Sequence, residues 1–353
     1  MATISQIRGM MLEEAILQLL RSAGYSPIEK AGHDPTLRVG SAGMEMIGRG
    51  AWHQADAIAD FCIVPPFAHQ PRLIIEAKCY SPEYPVGLSI IRNAVGVLKD
   101  VSEIWITSSA SDKSTNKNRY HYQYSVFSAS GYTSDAEQYA FAQDIYLITY
   151  QKSKYISNVI DSIRSLNYQD FSASAWNSID IDMKLLRQAL RGNIKDSNRP
   201  ITLNIPQTAR DKILDFINAV HRLPWTIFAV IGNRFPLHLI PAQDTTINQI
   251  KELHRIKIKW DAQGWYILDS ESDRYLFSFD LPPKLFNLYA DSGVLTATKA
   301  LYLKSEMLNH FQAFVIEDFR IRVITFQIDE GWINEVRTRL EEMPPVANNE
   351  FGE

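Results

Sequence analysis

An apolar run at residues 73–80, Leu-Ile-Ile-Glu-Ala-Lys-Cys-Tyr, is the most informative stretch of this chain. Its apolar start predicts a strand buried in a core, and Glu76 and Lys78 stand near its end. Because side chains alternate across a strand, these two residues project from the same face. A carboxylate and an ammonium group on a core strand cost desolvation free energy, which favours a chemical role for the pair.

A second strand-like segment precedes it at residues 54–61, Gln-Ala-Asp-Ala-Ile-Ala-Asp-Phe. A hairpin would return this segment along the first strand and bring Asp56 beside Glu76. Glu-x-Lys alone is often a solvated ion pair on an exposed face, so the upstream acid is what favours a functional site. Two carboxylates and a lysine at one edge are the groups that hold a hard metal ion and activate water, as in a phosphodiesterase.

Asp60 is the competing acid in the upstream segment. Period-two alternation puts Asp56 and Asp60 on the same face, so the alternation does not choose between them. Asp56 directly follows a polar turn, near the strand end where a cleft would open, whereas Asp60 lies deeper, next to Phe61 and Cys62. We therefore predict that Asp56 is the metal ligand and that Asp60 has a structural or supporting role.

Apolar residues at helical spacing predict a first helix before these strands, with Gly24 as its stop signal. The residues that repeat are Leu12, Ala15, Ile16, Leu19 and Leu20. Glu13 flanks this apolar face and could point into a cleft at the sheet edge. Alternatively, Glu13 is an acid of the N-terminal turn that the helix dipole favours, and Glu14 competes with it for any functional role.

A polar turn with two glycines joins the helix to the strands, Gly48-Arg-Gly-Ala-Trp-His-Gln-Ala-Asp56. Glycines permit close approach of a backbone, and polar residues at the mouth of a strand are where substrate contacts collect. Arg49, His53 and Gln54 are therefore candidate substrate-binding residues. The alternative is an ordinary hairpin turn with polar side chains.

Three segments in this order resemble the PD-(D/E)xK nuclease superfamily, and within it the Mrr-like restriction endonuclease branch. They are Leu12-Glu13…Gly24-Tyr25, then Gly48-Arg-Gly…His53-Gln54-x-Asp56, then Glu76-Ala-Lys78. Residues 126–140 and 145–148 are similar to the closing strand–helix–strand of that branch, so the resemblance covers roughly residues 8–150. Many members have a Gly-Asp-Gly-Gly-Ile-Asp type of turn where this chain has Gly50-Ala-Trp-His-Gln-Ala-Asp56. The departure leaves the aspartate in place.

The resemblance implies an α/β fold with a restriction-endonuclease-like mixed central sheet flanked by helices. It implies Mg²⁺-dependent hydrolysis of phosphodiester bonds, with DNA as the expected substrate, Mn²⁺ as a substitute metal and a 5′-phosphate on the product. Asp56, Glu76 and the main-chain carbonyl of Ala77 would bind the metal. Lys78 would orient or deprotonate the attacking water and stabilise the developing charge. Glu13 would bind a second metal or its water.

The remaining expectations come from the apolar spacing after Lys78 and from the same resemblance. Residues 86–98 predict a helix, and Arg92 falls near the position from which such nucleases often bring a polar side chain toward the substrate; a surface position is the alternative. The implied role is that of a restriction or phage-defence effector. Two other functions stay open: a nuclease acting on RNA or on repair intermediates, and an inactive nuclease-fold binding or assembly protein. The intact Asp56, Glu76 and Lys78 set argues against an inactive protein.

The chain has 353 residues, more than the ~100–200 typical of one domain, so two domains are expected. A polar stretch at 167–174 predicts a linker. The expected division is a nuclease domain at 1–165, a mixed α+β domain at 175–343 and a disordered tail at 344–353. We expect the second domain to recognise a target, a signal or a partner, either a second copy of the chain or a defence-system protein.

The net charge of the chain counts against a protein that coats nucleic acid nonspecifically. The formal net charge is −4, whereas domains that coat DNA usually carry a basic stripe. A nuclease need not be basic overall, since local patches can hold phosphates. The best local candidate is the loop at 112–122, where Lys113, Lys117 and Arg119 suit phosphate contacts. A solvated loop is the alternative.

The remaining composition predicts a protein of the reducing cytoplasm without a membrane partner. No stretch approaches the ~20 apolar residues that span a bilayer, and the N-terminus lacks a charged-then-apolar signal architecture. Cys62 and Cys79 come without a Cys-x-x-Cys or Cys/His cluster. We therefore expect free thiols rather than a disulfide or metal ligands.

Overall fold

A computed structural model of the protein describes residues 2–40, 43–64, 66–103, 120–151, 153–173, 178–196, 199, 203–231, 235–251, 254–261, 264–281, 290–291, 294–317 and 320–342. The contacts divide the chain into two compact units, Met1–Thr226 and Ile227–Glu353. The predicted phosphate-binding residues Lys113, Lys117 and Arg119 lie outside the described residues, as does the predicted tail at 344–353.

The first unit combines helices with two sheets. Its described helices are α1 (Ile4–Ser22), α2 (Leu88–Ser102), α3 (Ser134–Ala142), α4 (Ser157–Ser165), α5 (Met183–Lys195) and α6 (Gln207–His221). Its described strands are β1 (Tyr25–Pro27), β2 (Leu37–Val39), β3 (Met44–Ile47), β4 (Trp52–Gln54), β5 (Ala57–Phe61), β6 (Gln70–Lys78), β7 (Tyr120–Ser128) and β8 (Tyr146–Thr149).

The central sheet is mixed, with the strand order β1-β5-β6-β7-β8. Strands β1, β5 and β6 pair antiparallel, and β6, β7 and β8 pair parallel. A separate antiparallel sheet has the order β2-β3-β4. The expectation of a mixed α/β architecture is therefore confirmed at this level.

Helix α1 begins at a complete cap and covers one face of the sheet. The Thr3 hydroxyl accepts a hydrogen bond from the Gln6 backbone N–H (3.2 Å), and the Gln6 side chain accepts one from the Thr3 backbone N–H (2.8 Å). This reciprocal capping satisfies donors that would otherwise be orphaned. Gly24, at φ 92°, follows the last turn and allows the reversal into β1. The predicted apolar face is buried, and the helix packs on β1, β5 and β6.

Helices α2 and α3 belong to the core on the other side of the sheet. Ile91 and Ala94 of α2 and Ala136 of α3 share a buried cluster with Ile74 and Tyr124 of the sheet. Strand β6 is thus covered on both faces, as its apolar run predicted.

The boundary between the two units falls later than the expected division after residue 165. Helix α5 packs on α1, and α6 packs on α4, so both belong to the first unit. The stretch predicted as a linker contains a 3-10 helix at Tyr168–Phe171, and Asp170 forms a 2.8 Å ion pair with Lys212 of α6. The structure therefore moves the division to Thr226 and Ile227.

The second unit is built around a closed barrel with the strand order β10-β13-β12-β11-β17-β16-β9. These strands are β9 (Ile227–Ile231), β10 (Phe235–Pro241), β11 (His254–Asp261), β12 (Gly264–Asp269), β13 (Tyr275–Phe279), β16 (His310–Glu317) and β17 (Arg320–Ile328). Helices α7 (Ala297–Glu306) and α8 (Glu330–Glu342) and a ribbon of β14 (Ala290–Asp291) and β15 (Val294–Leu295) accompany it. Phe277, Phe311 and Phe326 fill its core, and closure leaves the barrel without exposed sheet edges.

A fragment of residues 1–226 should fold on its own, and a fragment of residues 1–165 should not. The shorter fragment lacks α5 and α6 and would expose the faces of α1 and α4 that those helices cover. We expect a cooperative thermal transition, followed by circular dichroism, for the longer fragment only. An equally cooperative transition at a similar temperature for residues 1–165 would contradict the division at Thr226.

Candidate functional site

Asp56, Glu76 and Lys78 converge at one end of the β5–β6 pair. The antiparallel register pairs Ala57 with Ile75, and one step further along it Asp56 comes opposite Glu76. Lys78 Nζ forms an ion pair with Glu76 Oε1 and lies 3.7 Å from Asp56 Oδ2. The structure therefore brings the three side chains that the strand patterns singled out into one cluster.

Contacts from two strands fix the carboxylates of this cluster. Asp56 lies just before β5, and its Oδ2 atom accepts a hydrogen bond from the Ala77 backbone N–H (2.8 Å). The Tyr124 hydroxyl on β7 donates to Glu76 Oε2 (3.0 Å). Groups held by backbone and buried side chains lose little further entropy when they bind a ligand, so the cluster is preorganised.

Burial and mutual proximity shift the pKa values of the cluster. Burial, followed by the negative charge of Glu76, raises the pKa of Asp56, although Lys78 acts in the opposite direction. Burial acts to lower the pKa of Lys78, but the charges of Asp56 and Glu76 outweigh it and leave that pKa above its usual value. Lys78 is therefore protonated at neutral pH, with one ammonium group beside two carboxyl groups.

Glu13 projects from α1 toward the same region. Its side chain is buried, and its Oε2 atom lies 2.7 Å from Arg187 Nη2 on α5. Burial raises the pKa of Glu13 to about 7; Arg187 acts to lower it, and the charge of Asp56 adds to the rise. Glu13 therefore changes its charge state close to neutral pH.

Glu14, the competitor of Glu13, has a different environment. Arg191 Nε on α5 donates to both of its carboxylate oxygens, at 3.0 and 2.8 Å, and Arg187 Nη1 lies 3.4 Å from Glu14 Oε1. Glu14 is almost fully buried, and a buried carboxylate needs such charged partners. Glu14 therefore anchors α5 against α1.

A cavity of about 990 Å³ opens beside the cluster. Its walls come from α1, from the end of β5 and β6, from the segment after β6 and from α5. Five of the predicted site residues line it: Glu13, Gln54, Asp56, Ala77 and Lys78. A cleft with a few convergent polar groups and titratable residues of perturbed pKa is a common form of ligand site.

The predicted substrate-binding residues of the glycine turn are divided between two places. Gln54 lines the cavity. Arg49 and His53 instead face the end of α2, where Arg49 forms an ion pair with Glu103 and His53 Nε2 lies 2.7 Å from Asp100 Oδ2. The structure therefore does not bring Arg49 and His53 to the carboxylate cluster.

The two glycines of this turn serve its packing on α2. The Gly48 N–H donates to the Ala51 carbonyl (2.7 Å) and closes the turn between β3 and β4. A side chain at Gly48 would overlap the Asp100 carboxylate, and the Gly50 N–H donates to Asp100 Oδ1 (3.0 Å). The segment is therefore an ordinary hairpin turn, which was the alternative to a substrate-binding loop.

Arg92 is exposed on α2. Its guanidinium lies over the Tyr139 ring of α3, 6.0 Å from the ring centroid. It is not among the residues that line the cavity. Arg92 therefore occupies a surface position, which was the alternative to a substrate contact.

Asp60 has a buried partner of its own. Arg72 of β6 is 2% exposed and donates from Nε and Nη2 to the two carboxylate oxygens of Asp60, at 2.7 and 2.9 Å. The same guanidinium donates to Asp34 Oδ2 (2.9 Å) and to Thr36 Oγ1 (3.0 Å). Asp60 therefore belongs to an ion-pair network away from Glu76.

The donor set around Asp56 fits a divalent cation. Carboxylate oxygens are the ligands that Mg²⁺ prefers, and it commonly binds one or two of them while keeping several waters. Burial, followed by the negative charge of Glu76, raises the pKa of Asp56, and Lys78 offsets this rise only in part. Within the described ranges, no group of three or more His, Cys, Asp or Glu side chains could hold a metal. Asp56 and Glu76 are the two carboxylates that the cluster offers to a cation.

Three contributing residues are not predicted by the sequence: Tyr124, Arg187 and Arg191. Tyr124 lies in a strand pattern that marks it as a core residue. The arginines stand four apart on an amphipathic helix, which is a common surface pattern, and Arg187 is separated from Glu14 by 173 positions. Nothing local in the chain links these arginines to α1.

Cys62 and Cys79 are free thiols, as expected from the sequence. Among the described helices, none is both long and apolar enough to cross a bilayer.

The chain matches no protein-family model and no curated protein. A solved structure of a protein of unknown function, AF1548, is similar over 60% of this chain and 98% of that chain, with 14% identity and a TM-score of 0.34. This likeness supports no functional assignment.

Replacing Glu13 by Gln should flatten the dependence of stability on pH. The pKa of Glu13 is raised from 4.5 to about 7 in the folded chain, so the folded state binds its proton more tightly. The protonated Glu13 side chain therefore stabilises the folded state. This stabilisation is fully present below pH 4.5 and is lost as the pH rises through 7. We expect the wild type to lose at most about 3 kcal/mol relative to Glu13→Gln over this window.

The measurement is the free energy of unfolding in urea at several pH values between 4 and 8, in buffer with EDTA. Glu335→Gln, at an exposed position of α8, is the control and should keep the wild-type slope. A Glu13→Gln variant with the wild-type slope would contradict the raised pKa.

Proposed function

We propose that this protein is a Mg²⁺-dependent nuclease that hydrolyses phosphodiester bonds, with DNA as its substrate. One observation carries the proposal: Asp56, Glu76 and Lys78 converge at the end of two paired strands, beside a cavity of about 990 Å³. Two carboxylates with an adjacent ammonium group can serve both a hard metal ion and a phosphate.

The metal would be held by Asp56 and Glu76, with the main-chain carbonyl of Ala77 as the third protein ligand. When bound, Mg²⁺ supplies a Lewis acid for the phosphoryl oxygens and lowers the pKa of a bound water. Asp56 is kept in place for this role by the Ala77 N–H, and Glu76 by the Tyr124 hydroxyl.

Lys78 acts as a cation in this proposal. Its raised pKa keeps the ammonium group protonated at neutral pH. An ammonium group at this position binds a phosphate oxygen and stabilises the negative charge that develops as the bond to phosphorus forms. Of the two roles that the sequence left open for Lys78, water orientation with charge stabilisation is thus favoured over deprotonation.

Glu13 is suited to accept a proton. A general base works best when its pKa lies near the working pH, and burial raises the pKa of Glu13 to about 7. Glu13 lines the same cavity as Asp56 and Lys78. We assign Glu13 the role of receiving the proton of the attacking water, either directly or through a second water.

The resemblance to the PD-(D/E)xK superfamily supports the same function. It rests on Asp56 and Glu76-Ala-Lys78, which are also the residues that cluster in space. On that resemblance we propose a restriction-endonuclease-like arrangement for the first unit and a defence role for the whole chain. The second unit would then recognise the target, a signal or a partner.

Asp56→Asn, Glu76→Gln and Lys78→Met should each lower the rate of Mg²⁺-dependent cleavage by at least about a hundredfold. Asp60→Asn is the matched control, because Asp60 lies in the neighbouring strand and binds Arg72 instead. It should retain cleavage and lose about 2 kcal/mol of stability, since Arg72 is left with weaker partners. The rates would be measured on plasmid, single-stranded DNA and tRNA, with Mg²⁺ and with Mn²⁺.

Binding of Mg²⁺ can be measured separately from the rate of cleavage. Titration calorimetry should detect Mg²⁺ binding to the wild type and to Asp60→Asn, and much weaker binding to Asp56→Asn. If tRNA were the only one of these substrates to be cleaved, the proposed substrate would be RNA instead of DNA. Wild-type rates in Glu76→Gln, or Mg²⁺ binding that depends on Asp60, would refute the assignment.

A further inference from the structure

Two exposed tyrosines stand at the cavity beside the cluster. Tyr80 and Tyr84 belong to the segment that joins β6 to α2, directly after Lys78. Their exposed fractions are 40% and 70%, and both residues line the cavity that Asp56 and Lys78 also line. Two large aromatic rings are therefore presented to solvent beside the candidate catalytic groups.

The backbone under these rings is fixed from outside the segment. The Tyr80 carbonyl accepts a hydrogen bond from Arg164 Nη2 (3.0 Å), and the Tyr84 carbonyl accepts one from Ser130 Oγ (2.9 Å). The Tyr84 N–H also donates to the Ser81 carbonyl (2.9 Å). The rings are thus carried on an anchored backbone, which lowers the entropy lost when a ligand covers them.

Two cations lie in the wall of the same cavity, Arg8 on α1 and Lys184 on α5. Lys184 is exposed at its wall, and no ion pair of Lys184 occurs within the part of the chain that is described. Arg8, also in the wall, donates from Nε and Nη2 to the carbonyl oxygens of Arg164 and Leu166 at 2.6–2.9 Å. Carbonyl partners do not neutralise the guanidinium charge, so both side chains remain available to attract an anion.

We propose that Tyr80 and Tyr84 stack on unpaired bases while Lys184 and Arg8 hold the flanking phosphates. Aromatic rings interleaved with cations are the means by which proteins bind single strands without reading their sequence. In a duplex the base faces are covered by their neighbours, so these rings would have nothing to stack on. The preferred substrate is thus a strand with unpaired nucleotides, such as a single strand, a flap or an open end. This inference rests on the proposed nuclease function and narrows its substrate.

The test is equilibrium binding of the full-length protein to fluorescent oligonucleotides, followed by anisotropy at low salt in buffer with EDTA. Three probes are compared: a single-stranded thymidine oligonucleotide, an abasic oligonucleotide of the same length and a blunt duplex. The abasic strand keeps the phosphates and removes the bases. The variants are Tyr80→Ala, Tyr84→Ala, Tyr84→Phe and Lys184→Ala, with Tyr302→Ala as the control, since Tyr302 is 57% exposed on α7.

The wild type should bind the single strand more tightly than the duplex. Each tyrosine-to-alanine change should weaken binding to the thymidine strand about tenfold and leave binding to the abasic strand unchanged. Tyr84→Phe should restore the wild-type affinity, because its ring is retained. Lys184→Ala should weaken binding to both strands by the same factor, because both carry phosphates. Tyr302→Ala should match the wild type.

The outcomes distinguish this inference from the proposed function. Tighter binding to the duplex, or equal losses on the abasic and thymidine strands in the tyrosine variants, would overturn the stacking role and leave the cleavage assay to decide the nuclease. Base-dependent losses without any metal-dependent cleavage would keep the stacking surface and overturn hydrolysis. No binding of the wild type to any of the three probes would overturn the stacking role and again leave the cleavage assay to decide the nuclease.

Discussion

The negative charges of Asp56 and Glu76 lie close together in a largely buried place, and the rest of the candidate site depends on how that charge is offset. Lys78 offers one ammonium group to both carboxylates, and the Ala77 N–H and the Tyr124 hydroxyl add neutral donors. Burial still raises the pKa of Asp56, so the cluster can accept further positive charge. In the proposed function, a divalent cation would supply that charge.

The second constraint is the pairing of α1 with α5. Glu13 and Glu14 are adjacent in sequence and point toward the same helix, where Arg187 contacts both and Arg191 holds Glu14. Breaking one partner of a buried ion pair leaves an uncompensated charge, which is strongly destabilising. This pairing makes α5 part of the first unit and part of the cavity wall. A fold that ended after α4 would leave the cavity open on that side.

Asp56 and Asp60, two aspartates just before and within strand β5, have different roles because they meet different ion-pair partners. Asp56 and Asp60 are four positions apart, yet Asp60 is committed to the Arg72 guanidinium and Asp56 faces Lys78. The register of β5 against β6 decides this, because it sets Arg72 opposite Asp60 and places Asp56 beyond the last pair at Ala57 and Ile75. One acid therefore stabilises the sheet, and the other is available for a ligand.

Local patterns determined much of the first unit. The helical repeat and the stop at Gly24 predict α1, and the apolar run at 73–75 predicts a buried β6 with Glu76 and Lys78 on one face. These features depend on residues within a few positions of each other, so alternation and helical spacing are enough to find them. The order of Asp56 and Glu76-Ala-Lys78 along the chain was likewise enough to select the three residues that cluster.

Only the tertiary structure decided which groups those residues meet. Arg187 and Arg191 reach α1 from more than 170 positions away, and Arg49 and His53 turn to the end of α2 because Asp100 and Glu103 lie there. The later boundary at Thr226 and the closure of the barrel are of the same kind. Ion-pair partners, sheet closure and cavity walls depend on contacts between distant segments, and such contacts leave no periodic trace in a single sequence.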